Sequence, residues 1–345
     1  MQITHINLAK GFRGGERQTQ ILIEQLSDEG YIQQLIVRKN SQLLQRCKHI
    51  KNLEIIEISK PYIFFISVFR NAKILHAHET KALQLAYFAS KFYNIPYIVT
   101  RRVDNPIKNN FLNRKLYENA SYVVALSHAI QKEIEKVTKK AHIVVIPSAY
   151  NELQLHEEKI TEIKQRFKNK FLIGHIGALD NKHKGQAYLI KVAKEIEKEY
   201  PDIAFLFVGG GEDAAMLHNL AQGSKNIFFE GFVNNVDDYI AALDMFVFPS
   251  QNEGLGSILL DVIKLQVPIV ASRVGGIVDI IEHDFNGKLV NKADTKALKE
   301  AIISLYQNQE QQLYFTDNAL QTLNKFSPQS MKQSYIQLYK KMSHS

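Results

Sequence analysis

An acid, two glycines and a second acid follow one short apolar run in the second half of the chain. The run Met245–Phe248 has the composition of a buried strand, and Glu253, Gly256 and Asp261 come after it. We predict that a loop holds Glu253 and that a helix begins at about Leu255, with Asp261 roughly two turns inside the helix. The first N–H groups of a helix lack partners within it and attract anions such as phosphate. The segment therefore predicts a phosphate-binding turn with an acid on each side.

Other strand-to-helix turns have the same character. Gly14 and Gly15 follow the first apolar run and precede a predicted helix, and Gly276 follows a later run in the same way. Lys184 lies beside another predicted helix start, where an ammonium group can neutralise a diphosphate. A tight turn without a ligand and a solvated lysine remain open alternatives at these positions. Together, the glycine turns of the second half point to a phosphorylated nucleotide as ligand.

The pattern argues against a nicotinamide-dependent enzyme. The first turn lacks the Gly-x-Gly-x-x-Gly spacing of dinucleotide-binding proteins. The second apolar run ends in Val37-Arg38-Lys39 rather than in the acid that would hold a ribose.

Short apolar runs rich in β-branched residues alternate with amphipathic stretches along almost the whole chain. This alternation predicts an α/β protein whose parallel sheets are covered by helices on both faces. A chain of 345 residues exceeds the usual size of one core. We therefore expect two Rossmann-like domains, residues 1–150 and 151–326, with a helix over residues 327–345 that joins the first domain.

Composition limits the cellular setting. Cys47 is the single cysteine, so no internal disulfide can form, as is usual in a reducing compartment. The first residues show no signal-peptide pattern, and we expect a cytoplasmic protein that is either free or peripheral on the inner face of the cytoplasmic membrane.

The two halves of the chain differ in net charge. Residues 1–150 hold 22 Lys and Arg against 11 Asp and Glu, a net charge of +11, whereas the whole chain has +8. The first half is therefore expected to face an anionic partner, with nucleic acid the least favoured because no nucleic-acid module is recognisable. The apolar run Tyr62–Phe69, flanked by Lys60, Arg70 and Lys73, predicts either a buried helix or an anchor in an anionic membrane surface.

The segment Pro249 to Asp261, followed by Val267–Ser272 and Gly275-Gly276, resembles the signature of family 4 glycosyltransferases, which have the GT-B fold. The similarity extends over nearly the whole chain through Gly14-Gly15-Glu16, His76-Ala77-His78, Ala125-Leu126-Ser127, Ile146-Pro147-Ser148, Gly209-Gly210-Gly211, Gly231-Phe232-Val233 and Asn286-Gly287. The resemblance implies two Rossmann-like domains that face a cleft. It also implies retaining transfer from a nucleoside-diphosphate sugar, without metal or other cofactor, as in the synthesis of bacterial lipopolysaccharide and other surface glycans.

By position, the resemblance implies that Glu253 hydrogen-bonds the donor sugar and that Asp261, eight residues later, holds the ribose. The family has glutamate at the second position, and aspartate is one methylene shorter. Lys184 matches the family's phosphate lysine, whereas Ala178 stands where an arginine is usual. The remaining donor-binding positions are Gly14, Gly15, Phe232, Val233, Leu255, Gly256, Ser257 and Ile258.

His78 matches the family position near the donor sugar and the acceptor, so the resemblance assigns His78, Glu253 and Lys184 to catalysis. His76 and His78 suggest a metal site, but two histidines on one strand lack a further ligand, and we expect no metal. Arg101 and Arg102 follow a predicted strand and are expected to hold either an anionic acceptor or the donor phosphate.

These observations predict a glycosyltransferase that uses a nucleotide-sugar donor and a glycan or lipid-linked acceptor. Two alternatives stay open at this point. One is a sugar-nucleotide epimerase of the same fold, which would act without an acceptor. The other is a non-catalytic partner that binds nucleotide sugars, because Ala178 and Asp261 depart from the family pattern.

Overall fold

The computed structural model describes residues 2–343 of the chain. These residues divide into two compact units, one up to Ala149 together with the residues from Lys325 onward, and one from Tyr150 to Asn324. We call them the N-terminal unit and the C-terminal unit. The predicted domains include residues 1, 344 and 345, which lie outside the described residues. Residues 344 and 345 are also the end of the predicted helix 327–345.

The N-terminal unit contains a seven-stranded parallel sheet with strand order β3-β2-β1-β4-β5-β6-β7. Its strands are β1 Gln2–Asn7, β2 Ile32–Arg38, β3 Leu53–Ile58, β4 Ile74–Ala77, β5 Tyr97–Arg101, β6 Tyr122–Ala125 and β7 Ile143–Val145. The connecting helices are α1 Gly14–Asp28, α2 Gln42–Cys47, α3 Thr80–Tyr93, α4 Phe111–Glu118 and α5 His128–Glu135. The strand order reverses at β1, so β1 and β4 diverge into their loops at the point where open α/β sheets bind ligands.

The C-terminal unit contains a six-stranded parallel sheet with strand order β10-β9-β8-β11-β12-β13. Its strands are β8 Phe171–Ile176, β9 Ile203–Val208, β10 Ile227–Gly231, β11 Met245–Phe248, β12 Ile269–Ser272 and β13 Lys288–Val290. The helices are α6 Glu157–Arg166, α7 Asn181–Lys184, α8 Gln186–Ile196, α9 Ala214–Ala221, α10 Val236–Ala241, α11 Ile258–Lys264, α12 Thr295–Tyr306 and α13 Gln309–Thr322. Two parallel α/β sheets confirm the predicted fold class.

The last helix returns to the N-terminal unit. α14 covers Pro328–Ser343, and the Ser327 hydroxyl accepts a hydrogen bond from the Ser330 N–H at 3.1 Å, which caps the first turn. Tyr335 and Tyr339 of α14 are buried in one apolar cluster with Ile3 and Ile74 of the sheet. The C-terminal helix therefore forms part of the core of the N-terminal unit.

One local prediction is wrong, and at a second position the structure excludes one of the two alternatives. The helix predicted from Leu255 begins at Ile258, because Gly256 has a left-handed φ of 80° that interrupts it, so Asp261 lies in the first turn of α11. The run Tyr62–Phe69 is a 3₁₀ helix that buries only Phe69 fully, and Phe64 is 77% exposed, so the prediction of a buried helix does not hold.

No helix within residues 2–343 has both the length and the apolar character needed to cross a membrane.

The backbone directly after β9 packs closely against the backbone directly after β8. Gly209 has a φ of 140°, and a Cβ there would overlap the carbonyl oxygen of Gly177 at the end of β8. Gly209 also donates its N–H to the Gly231 carbonyl at 2.8 Å. Only glycine combines this dihedral angle with this proximity.

We predict that Gly209→Ala destabilises the chain by about 3 kcal/mol or more, because overpacking adds to backbone strain. Gly223→Ala is the matched control, since Gly223 has a positive φ of 82° but no atom near the added Cβ. It should cost only the dihedral strain, about 1–2 kcal/mol. Urea denaturation followed by circular dichroism measures both, and equal midpoints would refute the steric argument.

Candidate functional site

Lys184 and Glu253, two of the predicted catalytic residues, form an ion pair in the C-terminal unit. Glu253 Oε1 accepts from the Lys184 ammonium and also from the Ser250 hydroxyl at 3.1 Å. Both charged side chains are partly buried, 24% exposed for Lys184 and 11% for Glu253. The Lys184 ammonium also lies 5.1 Å from the ring centre of Phe248. The pair therefore occupies a sheltered position at the ends of β8 and β11.

Two turns hold this pair in place. The Asp180 carboxylate accepts the His183 N–H at 3.3 Å and so caps α7, whose last residue is Lys184. Gly185 then adopts a φ of 66°, where a Cβ would overlap the Pro249 carbonyl oxygen. Gln251 donates its N–H to the His183 carbonyl at 2.8 Å and thereby ties the second turn to the first.

The predicted glycine turns meet the same loop. Gly276 donates its N–H to the Glu253 carbonyl at 3.0 Å. A Cβ on Gly256 would lie 3.3 Å from Ile277 and 3.4 Å from Phe248, so the backbone there packs closely between the two turns. Leu255 is buried, and Ser257 directly precedes Ile258, the first residue of α11. The structure thus brings the predicted positions 253 to 258 together with Gly276.

The Asp261 carboxylate already has hydrogen-bond partners within its own unit. Its carboxylate accepts the Asn151 N–H at 2.9 Å and the Asn151 side-chain amide at 2.5 Å. Lys264, one turn later on α11, donates to the Asn151 carbonyl at 3.1 Å and lies 4.6 Å from the ring centre of Tyr150. Asp261 and Lys264 therefore anchor the start of the C-terminal unit, a role that the sequence did not indicate.

The remaining donor-binding positions lie at the same edge of the sheet. Phe232, directly after β10, is 80% exposed, and a Cβ on Gly210 would lie 3.8 Å from the Phe232 Cβ. Val233 follows it and is half-buried. Ala178 is exposed after β8, and its carbonyl accepts from the Gln186 side chain at 2.8 Å. Because all strands of this sheet run parallel, these residues share one edge with Lys184 and Glu253.

His175 is a buried polar residue of this region that sequence reasoning missed. Its Nδ1 lies 3.1 Å from the Val247 carbonyl, which can only accept, so Nδ1 carries the hydrogen. Its Nε2 is buried without a hydrogen-bond partner among the described residues. Burial lowers the pKa of His175 to about 4, so the ring is neutral at neutral pH.

In the N-terminal unit, His78 follows β4 and meets two other histidines. His78 is 2% exposed, and its ring centre lies 3.9 Å from that of His76 and 5.2 Å from that of His5 on β1. The expectation that the pair lacks a further ligand is therefore wrong, because strand register sets His5 opposite His76. The ring nitrogens of the three residues lie within 4.8 Å of one another.

Hydrogen bonds already engage these ring nitrogens. His76 contacts the Tyr339 hydroxyl at 2.6 Å and the Thr100 hydroxyl at 2.8 Å. Burial, and then the neighbouring histidines and Arg102, hold the pKa of His78 well below its usual value. The arrangement favours neutral imidazoles, of which His5 and His78 bond each other and His76 bonds the two hydroxyl groups.

The structure separates the two predicted arginines. Arg101, 9% exposed, donates to the Tyr117 hydroxyl at 3.2 Å and to the Asn105 carbonyl at 2.5 Å. Arg102 instead points to His78, with Nη2 3.3 Å from His78 Nδ1. It also packs on the first turn of α1, where a Cβ on Gly15 would lie 3.2 Å from Arg102 Cδ and where Gly14 is the first residue. Arg102, His78 and Gly15 therefore form one local group, and Arg101 belongs to another.

Comparisons with known proteins show which sequences and folds this chain is similar to. Residues 156–322 match the family described as glycosyl transferases group 1. An uncharacterized glycosyltransferase of Methanocaldococcus jannaschii is 28% identical over 269 residues, which cover 75% of this chain and 65% of the relative. The D-inositol 3-phosphate glycosyltransferase of Corynebacterium urealyticum is 25% identical over 304 residues, 78% of this chain and 71% of the relative. The match thus spans less than two thirds of the archaeal relative's length.

Solved structures agree on the fold. HepE of Anabaena in complex with UDP superposes with a TM-score of 0.87 at 18% identity, over 99% of this chain and 100% of that one. Sucrose-phosphate synthase of Thermosynechococcus elongatus superposes with a TM-score of 0.82 at 17% identity, over 99% and 98%. The chain has the GT-B fold, and its residues 156–322 match the glycosyl transferases group 1 family.

Proposed function

We propose that the chain is a retaining glycosyltransferase that needs no metal. It would move a sugar from a nucleoside-diphosphate sugar to a hydroxyl of a glycan or lipid-linked acceptor. The observation that supports this most strongly is the Lys184–Glu253 pair. It lies between glycine turns at the carboxyl ends of β8 and β11, within the residues that match the glycosyl transferases group 1 family. The pair provides a cation for a leaving diphosphate and a carboxylate for sugar hydroxyls in one place.

Donor binding exchanges the partners of this pair. Lys184 turns to the diphosphate and stabilises the charge that develops as the nucleotide leaves, an electrostatic contribution that is strong because the site is sheltered. Glu253 is released to accept hydrogen bonds from the sugar hydroxyls. Exposed Phe232 and the neighbouring Val233 backbone receive the nucleobase. The leaving phosphate accepts the proton of the attacking hydroxyl on the same face of the sugar.

The acceptor side belongs to the N-terminal unit. Among the described residues, the Arg102 side chain has a single hydrogen-bond partner, neutral His78, and its Nε is buried without any partner. A guanidinium with free donors suits a phosphate or carboxylate of the acceptor. Arg101 is engaged by Tyr117 and Asn105, so we assign this role to Arg102 alone.

A surface-glycan acceptor agrees with the names of relatives. One is a capsular polysaccharide biosynthesis glycosyltransferase of Staphylococcus aureus, and another is a teichuronic acid biosynthesis glycosyltransferase of Bacillus subtilis, described as putative. We propose that this chain acts in bacterial surface polysaccharide or lipopolysaccharide synthesis.

We further propose that the N-terminal unit docks on an anionic membrane from the cytoplasmic side. Ile63 and Phe64 of the 3₁₀ helix are exposed, and that helix packs against α3, which exposes Phe88 and Phe92 one turn apart. The charge of +11 over residues 1–150 complements anionic lipid head groups.

We predict that Lys184→Ala lowers kcat by about 100-fold or more, because the leaving diphosphate loses its cation. A screen of UDP-, GDP- and ADP-sugars by calorimetry first identifies the donor, and product release then measures transfer. Lys182→Ala is the matched control, an exposed lysine on the same short helix. Unchanged kinetics in Lys184→Ala would refute the assigned role. Donor binding without turnover on any acceptor would instead indicate a non-catalytic binding protein.

Asp261→Ala should lower the free energy of unfolding by about 1–3 kcal/mol, because two Asn151 donors lose their acceptor. Asp317→Ala, which removes an exposed aspartate of the same unit, should leave stability unchanged. Chemical denaturation and nucleotide calorimetry together decide the role of Asp261. A loss of nucleotide affinity at full stability would favour the ribose role and contradict the anchoring role.

The membrane proposal predicts that the chain sediments with phosphatidylglycerol vesicles at low salt and less with phosphatidylcholine vesicles. Phe64→Ser should reduce binding about tenfold to a hundredfold, because about 1.5–3 kcal/mol of apolar burial is lost. Leu313→Ser, at a residue 59% exposed in the C-terminal unit, is the control and should bind like the parent chain. Equal binding to both lipids would contradict the electrostatic argument.

A further inference from the structure

A continuous line of hydrogen bonds crosses the interior of the N-terminal unit. Arg102 Nη2 lies 3.3 Å from His78 Nδ1, and His78 Nε2 lies 3.0 Å from His5 Nδ1. His5 Nε2 lies 3.1 Å from Gln33 Oε1, and the Gln33 amide nitrogen donates to the Ile23 carbonyl at 2.9 Å. His5, Gln33 and His78 are each at most 2% exposed, so water does not compete for these contacts.

The chemistry of the two ends determines the direction of every bond in this line. A guanidinium only donates, so His78 Nδ1 must accept. A neutral imidazole has one N–H, so His78 carries it on Nε2 and donates to His5 Nδ1. His5 then donates from Nε2 to the Gln33 oxygen.

The far end requires the same direction independently. The Ile23 carbonyl only accepts, so the Gln33 amide nitrogen faces it and the Gln33 oxygen faces His5. An amide oxygen requires a donor, and His5 Nε2 supplies it. Both ends agree, and each hydrogen along the line has one acceptor.

Both rings are neutral, as this count of hydrogens requires. Burial lowers the pKa of His5 to about 4, an effect that the Gln33 hydrogen bond only partly offsets. Burial also holds the pKa of His78 well below its ordinary value.

We propose that His5 and Gln33 are positioning residues, which lock His78 in the Nε2–H tautomer and so hold Arg102 beside Gly15. In this state both ring nitrogens of His78 already have hydrogen-bond partners. Arg102, rather than His78, is therefore the side chain of this group that contacts the substrate. As a statement about catalysis, this inference rests on the proposed transferase function. The tautomers themselves do not depend on it.

The same three histidines are the alternative metal site. A divalent cation needs ring lone pairs that face it, but the His78 and His5 Nδ1 lone pairs each accept a hydrogen bond in the line. The cation would also sit beside the Arg102 guanidinium, which carries the same sign of charge. The lone pairs that a metal ion would need therefore already accept hydrogen bonds, and metal binding would require these hydrogen bonds to break.

The test is long-range proton–nitrogen NMR of the full chain labelled with ¹⁵N-histidine, at pH 7.5. Assignment comes from single histidine substitutions. We expect His5 and His78 both to appear as Nε2–H tautomers. An Nδ1–H tautomer at either ring, or stoichiometric loss of these signals on adding Zn²⁺, would overturn the proposal.

Two variants of His5 separate positioning from packing. His5→Asn keeps an acceptor oxygen near the position of Nδ1 and should leave the His78 tautomer intact. His5→Leu removes the acceptor and should give mixed tautomers at His78, with kcat/KM for the acceptor reduced up to about 100-fold and donor binding unchanged. Equal tautomers and equal kinetics in the two variants would refute the positioning role.

Arg102→Met is the second approach if His5→Leu does not fold. It removes the donor at the partly exposed end but leaves the Ile23–Gln33 end, which requires the same direction, so His5 and His78 should both keep the Nε2–H tautomer while circular dichroism stays unchanged. An Nδ1–H tautomer at either ring in this variant would contradict the positioning role of His5 and Gln33. If no donor or acceptor supports turnover in the parent chain, the transferase proposal fails while the NMR result still decides the tautomers.

Discussion

Parallel pairing of the strands is the constraint on which the candidate sites depend. In a parallel sheet every strand ends at the same edge, so residues far apart in sequence reach one place when their strands are neighbours. Lys184 after β8 and Glu253 after β11 meet in this way, since β8 and β11 are neighbours in the sheet. The same rule brings His5 on β1 and His78 after β4 together in the other unit. Side chains near strand ends therefore meet according to strand order.

Each candidate functional side chain is already paired within its own unit. Lys184 pairs with Glu253, Asp261 with Asn151, and Arg102 with His78. Partly buried charges without partners would be costly, so these internal contacts stabilise the unit before a ligand arrives. A ligand must supply contacts at least as good as those it replaces. The Arg102–His78 contact is the weakest of the three, because it is a single 3.3 Å contact to a neutral ring, whereas Asp261 accepts two hydrogen bonds and Lys184 meets an opposite charge.

Sequence patterns predicted the fold because burial of parallel strands leaves long apolar runs. Met245–Phe248, which the sequence predicts as a buried strand, is β11 with the same bounds. β13, Lys288–Val290, cannot be predicted in this way because three residues are too few to show a period. The start of α11 was placed too early, since Leu255 is apolar and buried although it lies in the turn.

The candidate site was predictable where a motif is local and unpredictable where it depends on register. Glycine and acid spacing marked positions 253 to 276 because the contacts there join residues close in sequence. The His5–His78 contact joins residues 73 positions apart, and a shift of one residue in strand register would move His5 to the other face of the sheet. Asn151 gave no signal at all, because its partner Asp261 lies 110 residues away. Buried polar contacts of this kind determine which face of a strand points inward, so a histidine at position 5 is informative only after the strand order is known.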